Sequence, residues 1–389
     1  MPLAGWNSAG LKEAGQLSPF CRDLPMTSTA TESATLPKQT GSPIPGPGEE
    51  VPVCGIERHL KALWDSNEAM TRASLMNFAI VSGSADGMEA GTALIQEVTR
   101  EHACRALLLV VDPSEREPPL RAWITAHCQL GDGGNKSICS EQISFLVHGS
   151  GQSILANTIF AHVDSDLPLT VWWQGNFNGN WEPHFFTEID RLVIDSSEWV
   201  DPLTQFSILR RSWRHTASDF SVNDIAWTRV LSLRMALAAC FDDPAALALL
   251  PQVDAVEITC AAGHTLPGHL FAAWAAFRAG WKLQEVVVAG VEIHFTNGGR
   301  KLRLRFHEVS SVSPVPSVCL RGPGLDVQLT HGDDSPFIHA RVATPAGTFE
   351  RLTPCPCRTP VELVIERLRR GCNTRLYFTL LQMVERIMA

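Results

Sequence analysis

Residues 164–175, Asp-Ser-Asp-Leu-Pro-Leu-Thr-Val-Trp-Trp-Gln-Gly, contain the segment that decides the fold. Pro168 lacks a backbone donor and has a fixed φ, so it fits the first residue of a strand and not its middle. The apolar residues 169–173 predict a short strand that is covered on both faces of its sheet. Trp172 and Trp173 are adjacent, so their side chains should point to opposite faces of that sheet.

The segments around this strand continue one pattern. Residues 152–163 carry apolar side chains at helical spacing, residues 185–189 fit one or two helical turns, and residues 191–196 predict a second strand. Helices and strands in this order are typical of a parallel α/β sheet. In such sheets the carboxyl ends of the strands carry function, and here those ends present Trp172-Trp173 and Asp195-Ser196.

Length and charge exclude several classes of protein. The 389 residues are enough for two domains and a tail. The net charge of −9 and the pI of about 5.8 argue against nucleic acid or an anionic membrane as the main partner. No apolar run reaches the roughly 18 residues that suggest a membrane span. Arg210, Arg211 and Arg214 form a local basic cluster, which we interpret as a solvated helix face.

Cysteine usage indicates the compartment. The eleven cysteines are scattered, and the N-terminus lacks the charged start and apolar core of a secretory signal. We therefore expect a cytoplasmic protein with mostly reduced thiols. Eleven tryptophans accompany a single tyrosine, and these large rings serve either as core filler or as interface anchors.

The first half of the chain divides into a tail and an α/β domain. Residues 1–50 are rich in Ser, Thr, Pro and Gly and predict a disordered tail. Residues 51–215 form the predicted N-terminal α/β domain, with a mostly parallel sheet covered by helices. Its strands 120–130 and 137–148 flank the glycine-rich residues 131–134, which predict a hairpin loop.

Residues 216–389 form the predicted C-terminal α/β domain, whose later part is β-rich and antiparallel. Ser221 and Asp224 are spaced as a capping box, which predicts a helix from residue 221 to about 241. Residues 291–295 and 302–306 alternate around Asn-Gly-Gly and predict a hairpin. Two helices, 361–370 and 375–388, end the chain.

Two features carry possible chemistry. The loop 82–87, Ser-Gly-Ser-Ala-Asp-Gly, follows a strand and opens a helix, where free amides attract phosphate. It matches neither a dinucleotide fingerprint nor a phosphate-binding P-loop, so we interpret it as an ordinary turn. Asp195-Ser196 at a strand end fits either a site or a helix cap, and we favour the cap.

No metal site, cofactor or catalytic constellation is predicted. Cys355 and Cys357 are separated by one residue, and tetrahedral zinc sites need wider spacing and a second pair. The next cysteine is Cys372, and no histidine follows at a suitable distance. His264 and His269 lack the spacing of a zinc protease motif, so we interpret them as core or surface residues.

Several short motifs, in this order and spacing, resemble the OpcA family of bacterial glucose-6-phosphate dehydrogenase assembly proteins. The resemblance covers most of residues 51–319 and departs from the family at Thr170 and Leu233. The motifs are Asp166-Leu167-Pro168, Trp172-Trp173, Asp190-Arg191-Leu192-Val193-Ile194-Asp195-Ser196, Asp224-Ile225-Ala226-Trp227-Thr228-Arg229, Cys139-Ser140-Glu141-Gln142-Ile143 and Gly280-Trp281.

This resemblance implies a protein that is not an enzyme. Such a protein binds glucose-6-phosphate dehydrogenase, promotes its active oligomer and activates it allosterically, in the oxidative pentose phosphate pathway. It implies a role in the motif or the interaction for Asp166, Pro168, Trp172, Trp173, Asp195, Ser196, Asp224, Trp227, Arg229 and Arg234. The redox response known in photosynthetic members directs attention to Cys355, Cys357 and Cys372.

The other hypothesis is an α/β enzyme that acts on a sugar phosphate or a nucleotide. It would use the loop 82–87 together with Asp195 and Ser196. Activation of the dehydrogenase without any turnover by the protein itself separates the two hypotheses.

Overall fold

The computed structural model describes the residues 47–65, 70–83, 86–114, 119–130, 137–149, 152–177, 183–216, 220–356, 358–371 and 373–389. Five sequence predictions lie wholly or partly outside these ranges: the tail up to residue 46, Ser84 and Ala85 of the loop 82–87, the loop 131–134, Cys357 and Cys372. Glu49 and Glu50 fall within the predicted tail but form part of the strand Glu49–Val51.

The first sheet has nine strands in the described part of the chain. Six neighbouring strands run parallel in the order β6-β4-β3-β7-β8-β9, which is that of a doubly wound fold, and β2 also pairs in parallel with β6. The antiparallel β5 continues the sheet beyond β6. The strands are β1 (Glu49–Val51), β2 (Met70–Arg72), β3 (Asn77–Ser82), β4 (Arg105–Asp112), β5 (Leu120–Leu130), β6 (Ser137–His148), β7 (Leu169–Trp173), β8 (Arg191–Ile194) and β9 (Ser221–Asp224).

Helices cover both faces of this sheet, as the buried parallel strands require. On one face, Ile95 and Val98 pack with Trp172 and Val193 in a single apolar cluster. On the other face, the ring of Trp173 lies 6.2 Å from the ring of Phe185. The helices before and between these strands are α1 (Ile56–Asp65), α2 (Gly87–Glu101), α3 (Gln152–His162) and α4 (Pro202–His215).

The second sheet has eight strands and is mostly antiparallel. Only β10 and β13 pair in parallel, and buried and exposed residues alternate along its central strands, so one face meets the core. In order, the strands are β10 (Ala255–Ala261), β11 (Lys282–Val288), β12 (Glu292–Asn297), β13 (Arg300–Val309), β14 (Ser317–Gly322), β15 (Leu325–Thr330), β16 (Phe337–Thr344) and β17 (Gly347–Pro354). The predicted fold class is confirmed.

The buried face of the second sheet contacts helices from the middle of the chain. α8 lies close to β10 because residue 268 is glycine: a Cβ there would stand 2.3 Å from the Sγ atom of Cys260. The remaining helices are α5 (Ile225–Arg229), α6 (Leu231–Cys240), α7 (Pro244–Leu249), α8 (Thr265–Ala279), α9 (Pro360–Arg369) and α10 (Thr374–Met388).

The helix predicted from residue 221 to 241 is wrong in two respects. Ser221 does not cap a helix, because residues 221–224 form β9 and pair in parallel with β8. Asp224 is the cap, and its side chain accepts a hydrogen bond from the amide of Ala226. The helical segment is also interrupted at Val230, which separates α5 from α6.

The two sheets are not divided at the predicted domain boundary between residues 215 and 216. β9 lies after that point and completes the first sheet. α9 and α10 also return to the first sheet: Val361 and Val364 join its apolar cluster, and Arg210 of α4 pairs with Glu385 of α10. The two-domain boundary remains a prediction, and residues 44–389 form one compact unit.

One pair of cysteines departs from the expectation of reduced thiols. Cys128 and Cys139 face each other on β5 and β6 and form a disulfide with Cα atoms 4.1 Å apart. Directly opposed residues of antiparallel strands approach each other this closely, so the pairing follows from the strand register. Among the described residues, no helix is both long and apolar enough to cross a membrane.

Candidate functional site

A pocket opens at the carboxyl end of the first sheet. The chain places β4 and β6 on one side of β3 and then β7 on the other, so the strand order reverses between β3 and β7. Ligands of open α/β sheets bind at such a reversal. The pocket there has a volume of about 870 Å³.

One wall of the pocket is the turn from β3 into α2. Ser82, Gly83 and Gly87 line it, and α2 begins at Gly87. Asp86 precedes the helix but makes no side-chain cap, so the first amides of α2 have no side-chain partner from the cap residue. Unbonded amides at a helix N-terminus attract anions. The described residues of the loop interpreted as an ordinary turn therefore line the pocket.

The opposite wall is the segment that follows β7. Its fold is held by backbone acceptors: the Nε1 of Trp173 donates to the carbonyl of Asn176 at 3.1 Å, and the Nε1 of Trp199 donates to the carbonyl of Gly175 at 2.9 Å. Gly175 has a φ of 74°, which favours glycine. The side chains of Gln174 and Asn176 line the pocket from this segment.

Two more polar residues, Gln205 and Glu198, line the pocket. Gln205 of α4 is 6% exposed, and its Oε1 accepts a hydrogen bond from the amide of Phe177 at 2.6 Å. Glu198 follows β8, and burial, with the nearby charge of Asp195, raises the pKa of its carboxyl. A raised carboxyl pKa beside a pocket is common in ligand sites.

A second polar cluster lies at the carboxyl ends of β8 and β9. Asp195 accepts hydrogen bonds from Ser197 and forms a two-point ion pair with Arg229, with nitrogen–oxygen distances of 2.8 and 2.7 Å. The prediction that Asp195 caps the following segment agrees with this geometry, since it caps the short 3-10 helix Ser196–Glu198. Bidentate arginine–carboxylate pairs fix orientation strongly.

Asp224 lies at the centre of this cluster and is buried. Its Oδ2 accepts from the hydroxyl of Ser196 at 2.6 Å and from the hydroxyl of Tyr377 at 2.7 Å. Its Oδ1 accepts from the amides of Ser196 and Ala226. Burial is the main reason that the pKa of Asp224 rises to about 6, although these donors favour the charged form.

Arg234 of α6 lies over the ring of Trp227. The guanidinium carbon is 3.3 Å from the ring centroid, and the group donates to the carbonyls of Trp227 and Val230. These carbonyls lie where α5 ends, and the guanidinium of Arg234 bonds both of them across the interruption between α5 and α6, in addition to the backbone bond from the amide of Arg234 to Val230. Burial lowers the pKa of Arg234 well below its ordinary value.

The structure therefore brings some predicted residues together and separates others. Asp195, Ser196, Asp224 and Arg229 form one cluster, and Trp227 pairs with Arg234. Trp172 and Trp173 are each 4% exposed, line the pocket and point to opposite faces of the sheet. Asp166 and Pro168 are exposed before β7. Cys355 follows β17, away from these clusters in sequence and in sheet order.

Sequence reasoning missed Tyr377, which completes the cluster from 153 residues away along the chain. It is the single tyrosine of the protein, and that rarity was the available signal. Reasoning from motifs also missed Gln205, because a glutamine inside a helix has no local signature. Within the described ranges, no group of three or more His, Cys, Asp or Glu side chains could hold a metal ion.

Family models match the chain in two consecutive segments. Residues 95–211 match the N-terminal domain of a glucose-6-phosphate dehydrogenase subunit, and residues 220–381 match the C-terminal domain of that subunit. Together these segments cover most of the sequence. The chain belongs to the OpcA family of glucose-6-phosphate dehydrogenase assembly proteins. No protein of curated function matches the sequence significantly.

Several solved structures are similar to this OpcA-family protein over most of its length. A 3-ketoreductase of Actinomadura kijaniata is 9% identical with a TM-score of 0.44, covering 80% of this chain and 94% of its own. An aldose-aldose oxidoreductase of Caulobacter crescentus is 12% identical with a TM-score of 0.43, covering 80% and 96%. Gal80p of Saccharomyces cerevisiae is 7% identical with a TM-score of 0.44, covering 81% and 95%.

Three of the six OpcA-family motifs lie in two structural features, the carboxylate cluster and the pocket. The motif that ends in Asp195-Ser196 and the motif that begins at Asp224 meet in the buried carboxylate cluster. The motif Trp172-Trp173 lies at the pocket. Ser196 and Asp224, which lie 28 residues apart in two different motifs, are joined directly by two hydrogen bonds.

Proposed function

We propose that this protein is a cytoplasmic assembly factor and allosteric activator of glucose-6-phosphate dehydrogenase. It binds the dehydrogenase, favours its active oligomer and performs no chemistry itself, and so increases flux into the oxidative pentose phosphate pathway. Membership of the OpcA family is the observation that carries this proposal.

The contacts of the motif carboxylates within the chain support a structural role for Asp195 and Asp224, and not a catalytic one. Asp195 is committed to Arg229 and to its cap, and both oxygens of Asp224 accept hydrogen bonds from within the chain. These contacts position the ends of β8 and β9. An enzyme that used Asp195 and Ser196 with the loop 82–87 would need all three to face one substrate, and neither Asp195 nor Ser196 lines the pocket.

An activator acts by differential affinity. It shifts an oligomer equilibrium only if it binds the active oligomer more tightly than the inactive form. We therefore expect the effect on the dehydrogenase to saturate with the concentration of this protein, and to be largest where the dehydrogenase is dilute.

The experiment mixes the full-length protein with the dehydrogenase of the same organism. Light scattering after size exclusion should show a complex and a larger dehydrogenase oligomer, and steady-state assays should show a lower KM for glucose 6-phosphate. An unrelated NADP-linked dehydrogenase is the specificity control. The protein alone, incubated with glucose 6-phosphate and each nicotinamide cofactor, should form no product.

Surface variants then locate the contact. Val200, Val312 and Leu352 are exposed apolar side chains in different parts of the fold, and changing each to Asp should leave folding intact. Loss of activation by one variant, with unchanged thermal unfolding, identifies its surroundings as the contact surface. Unchanged oligomer mass and unchanged kinetics at saturating wild-type protein would refute the proposed function.

A further inference from the structure

We propose that the pocket between β3 and β7 binds an adenine dinucleotide, with the pyrophosphate at the N-terminus of α2. This binding function goes beyond activation of the dehydrogenase and does not depend on it. It would let the protein respond to a redox cofactor through the sheet end that holds Trp172 and Trp173.

The position of the pocket is the first argument. The six strands β6-β4-β3-β7-β8-β9 have the order of a doubly wound sheet, which reverses between β3 and β7, and the pocket lies at that reversal. A ligand that crosses this point contacts both halves, as a dinucleotide with two nucleoside ends does. A volume of about 870 Å³ also fits a large ligand better than a single sugar phosphate.

The N-terminus of α2 is suited to a pyrophosphate. The helix has 15 residues, starts at Gly87 and has no side-chain cap. Gly83 presents open space: a Cβ built there meets no atom within 4 Å. Backbone amides and the helix dipole bind the pyrophosphate of dinucleotides in this arrangement. Gly91 continues the close contact between α2 and β4, since a Cβ there would stand 2.4 Å from Leu108.

Uncommitted carboxamides supply an independent argument for a ligand. Gln205 is 6% exposed and lines the pocket, yet only its Oε1 is used; its Nε2 donates to no described residue. Gln174 lines the same pocket with a carboxamide that has no hydrogen bond among the described residues. Buried donors without partners are costly unless a ligand or water satisfies them.

The charges around the pocket select the kind of phosphate. No Lys or Arg is among the described lining residues, whereas Asp86 and Glu89 lie in the turn before α2 and in its first turn. Phosphate monoesters and triphosphates carry more charge and are usually held by cations. A pyrophosphate diester has fewer charges and is held by amides in doubly wound folds. The pocket therefore fits a dinucleotide better than ATP.

The end of β4 supplies the group expected near a ribose. Asp112 is the last residue of β4 and follows Val111, which lines the pocket. Its Oδ1 accepts from the amide and hydroxyl of Ser114, and its Oδ2 lies 3.3 Å from the Nδ1 atom of His148. An acidic residue at this strand end binds ribose hydroxyls and repels a 2′-phosphate. We therefore expect NAD(H) to bind more tightly than NADP(H).

The test measures binding to the isolated full-length protein by titration calorimetry. NAD⁺, NADH, NADP⁺ and NADPH are the probes, with AMP and glucose 6-phosphate for comparison. The test variant is Gly83→Val, which places a side chain in open space of the pocket without strain. The matched control is Gly332→Val, in the loop between β15 and β16, where a Cβ meets only one atom at 3.9 Å.

We expect one saturable site for NAD(H), binding at least about tenfold tighter than AMP, which is a difference of roughly 1.4 kcal/mol. Gly83→Val should weaken NADH binding by at least about tenfold, and Gly332→Val should leave it unchanged. Absence of dinucleotide binding, tighter binding of glucose 6-phosphate, or equal affinity of the Gly83→Val variant would overturn the proposal. None of these results bears on activation of the dehydrogenase, which is measured separately.

Discussion

The hydroxyl of Tyr377 lies 2.7 Å from the Oδ2 atom of Asp224 and joins the last helix of the chain to the end of the first sheet. Both groups are buried, and Asp224 raises the pKa of the Tyr377 hydroxyl together with burial itself. The contact connects residues from opposite ends of the C-terminal half of the chain.

Removing this hydroxyl should destabilise the protein. In Tyr377→Phe, the buried carboxylate of Asp224 loses one donor and keeps those of Ser196 and Ala226. We expect a loss of about 1–3 kcal/mol in the free energy of unfolding, measured by urea titration. Thr379→Val on the exposed side of α10 is the control and should change stability by less than about 0.5 kcal/mol. Equal stability of the two variants would contradict the prediction.

Asp224 should also make stability depend on pH. Its pKa is about 6 in the folded protein, against an ordinary value of 3.8. The folded protein therefore binds this proton more tightly than the unfolded chain does. The stabilisation is fully present below the unfolded pKa and is lost as the pH rises through the folded pKa. The difference of the two pKa values corresponds to roughly 3 kcal/mol.

The measurement compares the wild type with Asp224→Asn, which does not titrate, by urea unfolding between pH 3.5 and 7.5. The stability of the wild type minus that of the variant should fall as the pH rises through this window, by up to roughly 3 kcal/mol. Asp334→Asn, at an exposed position, serves as the control and should give a flat difference. A difference that rises with pH would show that the folded protein prefers the ionised carboxyl.

Arg234 should resist conservative replacement. A lysine there keeps the charge but loses the flat group that lies over Trp227 and the fork that reaches two carbonyls. We expect Arg234→Lys to lower the free energy of unfolding by about 1–3 kcal/mol. Arg211→Lys, on an exposed face of α4, should have almost no effect. Thermal unfolding of both variants checks this, and equal melting temperatures would count against it.

Two truncations separate the tail from the sheet. Removal of residues 1–46 should leave folding and activation of the dehydrogenase unchanged, because that composition cannot bury enough apolar surface to order itself. Removal of residues 1–51 also deletes β1, which pairs with β5, and the ion pair of Glu50 with Arg121. We expect only the longer truncation to lower the melting temperature. A folded shorter truncation that no longer activates would assign a function to the tail.

The disulfide gives a prediction that depends on reductant. Cys128 and Cys139 are separated by 11 residues, and closing such a loop stabilises a protein by about 3 kcal/mol in the chain-entropy description. Reductant should lower the free energy of unfolding of the wild type to that of Cys128→Ala. The free energy of unfolding of Cys128→Ala should be the same with and without reductant. Cys54→Ala, at an exposed free cysteine, should behave like the wild type. Peptide mapping without reductant should recover the cross-linked pair.

Local patterns were sufficient for much of the fold and insufficient for the site. The proline before β7, the alternation in β12 and β13 and the apolar run of β4 each predict their strand from neighbouring residues. The segment 221–224 was assigned to a helix because Ser221 and Asp224 match a capping box. Pairing of Val222 with Leu192 determines the outcome instead, and that contact is invisible in the local sequence.

The pocket and the carboxylate cluster were harder to predict for the same reason. Asp195 and Asp224 belong to recognisable motifs. Tyr377 contacts Asp224, and Gln205 lines the pocket, only because the folded chain brings distant segments together. The loop 82–87 lacks the glycine spacing of known phosphate loops, so its place in a pocket depends on the strand order and not on its own sequence.

The return of the last two helices to the first sheet has a consequence during synthesis. Val361, Leu363 and Val364 of α9 belong to the apolar cluster around Trp172, and Tyr377 of α10 donates to Asp224. These residues leave the ribosome only after the whole second sheet has been translated. The nascent first sheet therefore exposes part of its core until termination, so messages that end before residue 360 should yield chains that chaperones retain and proteases remove.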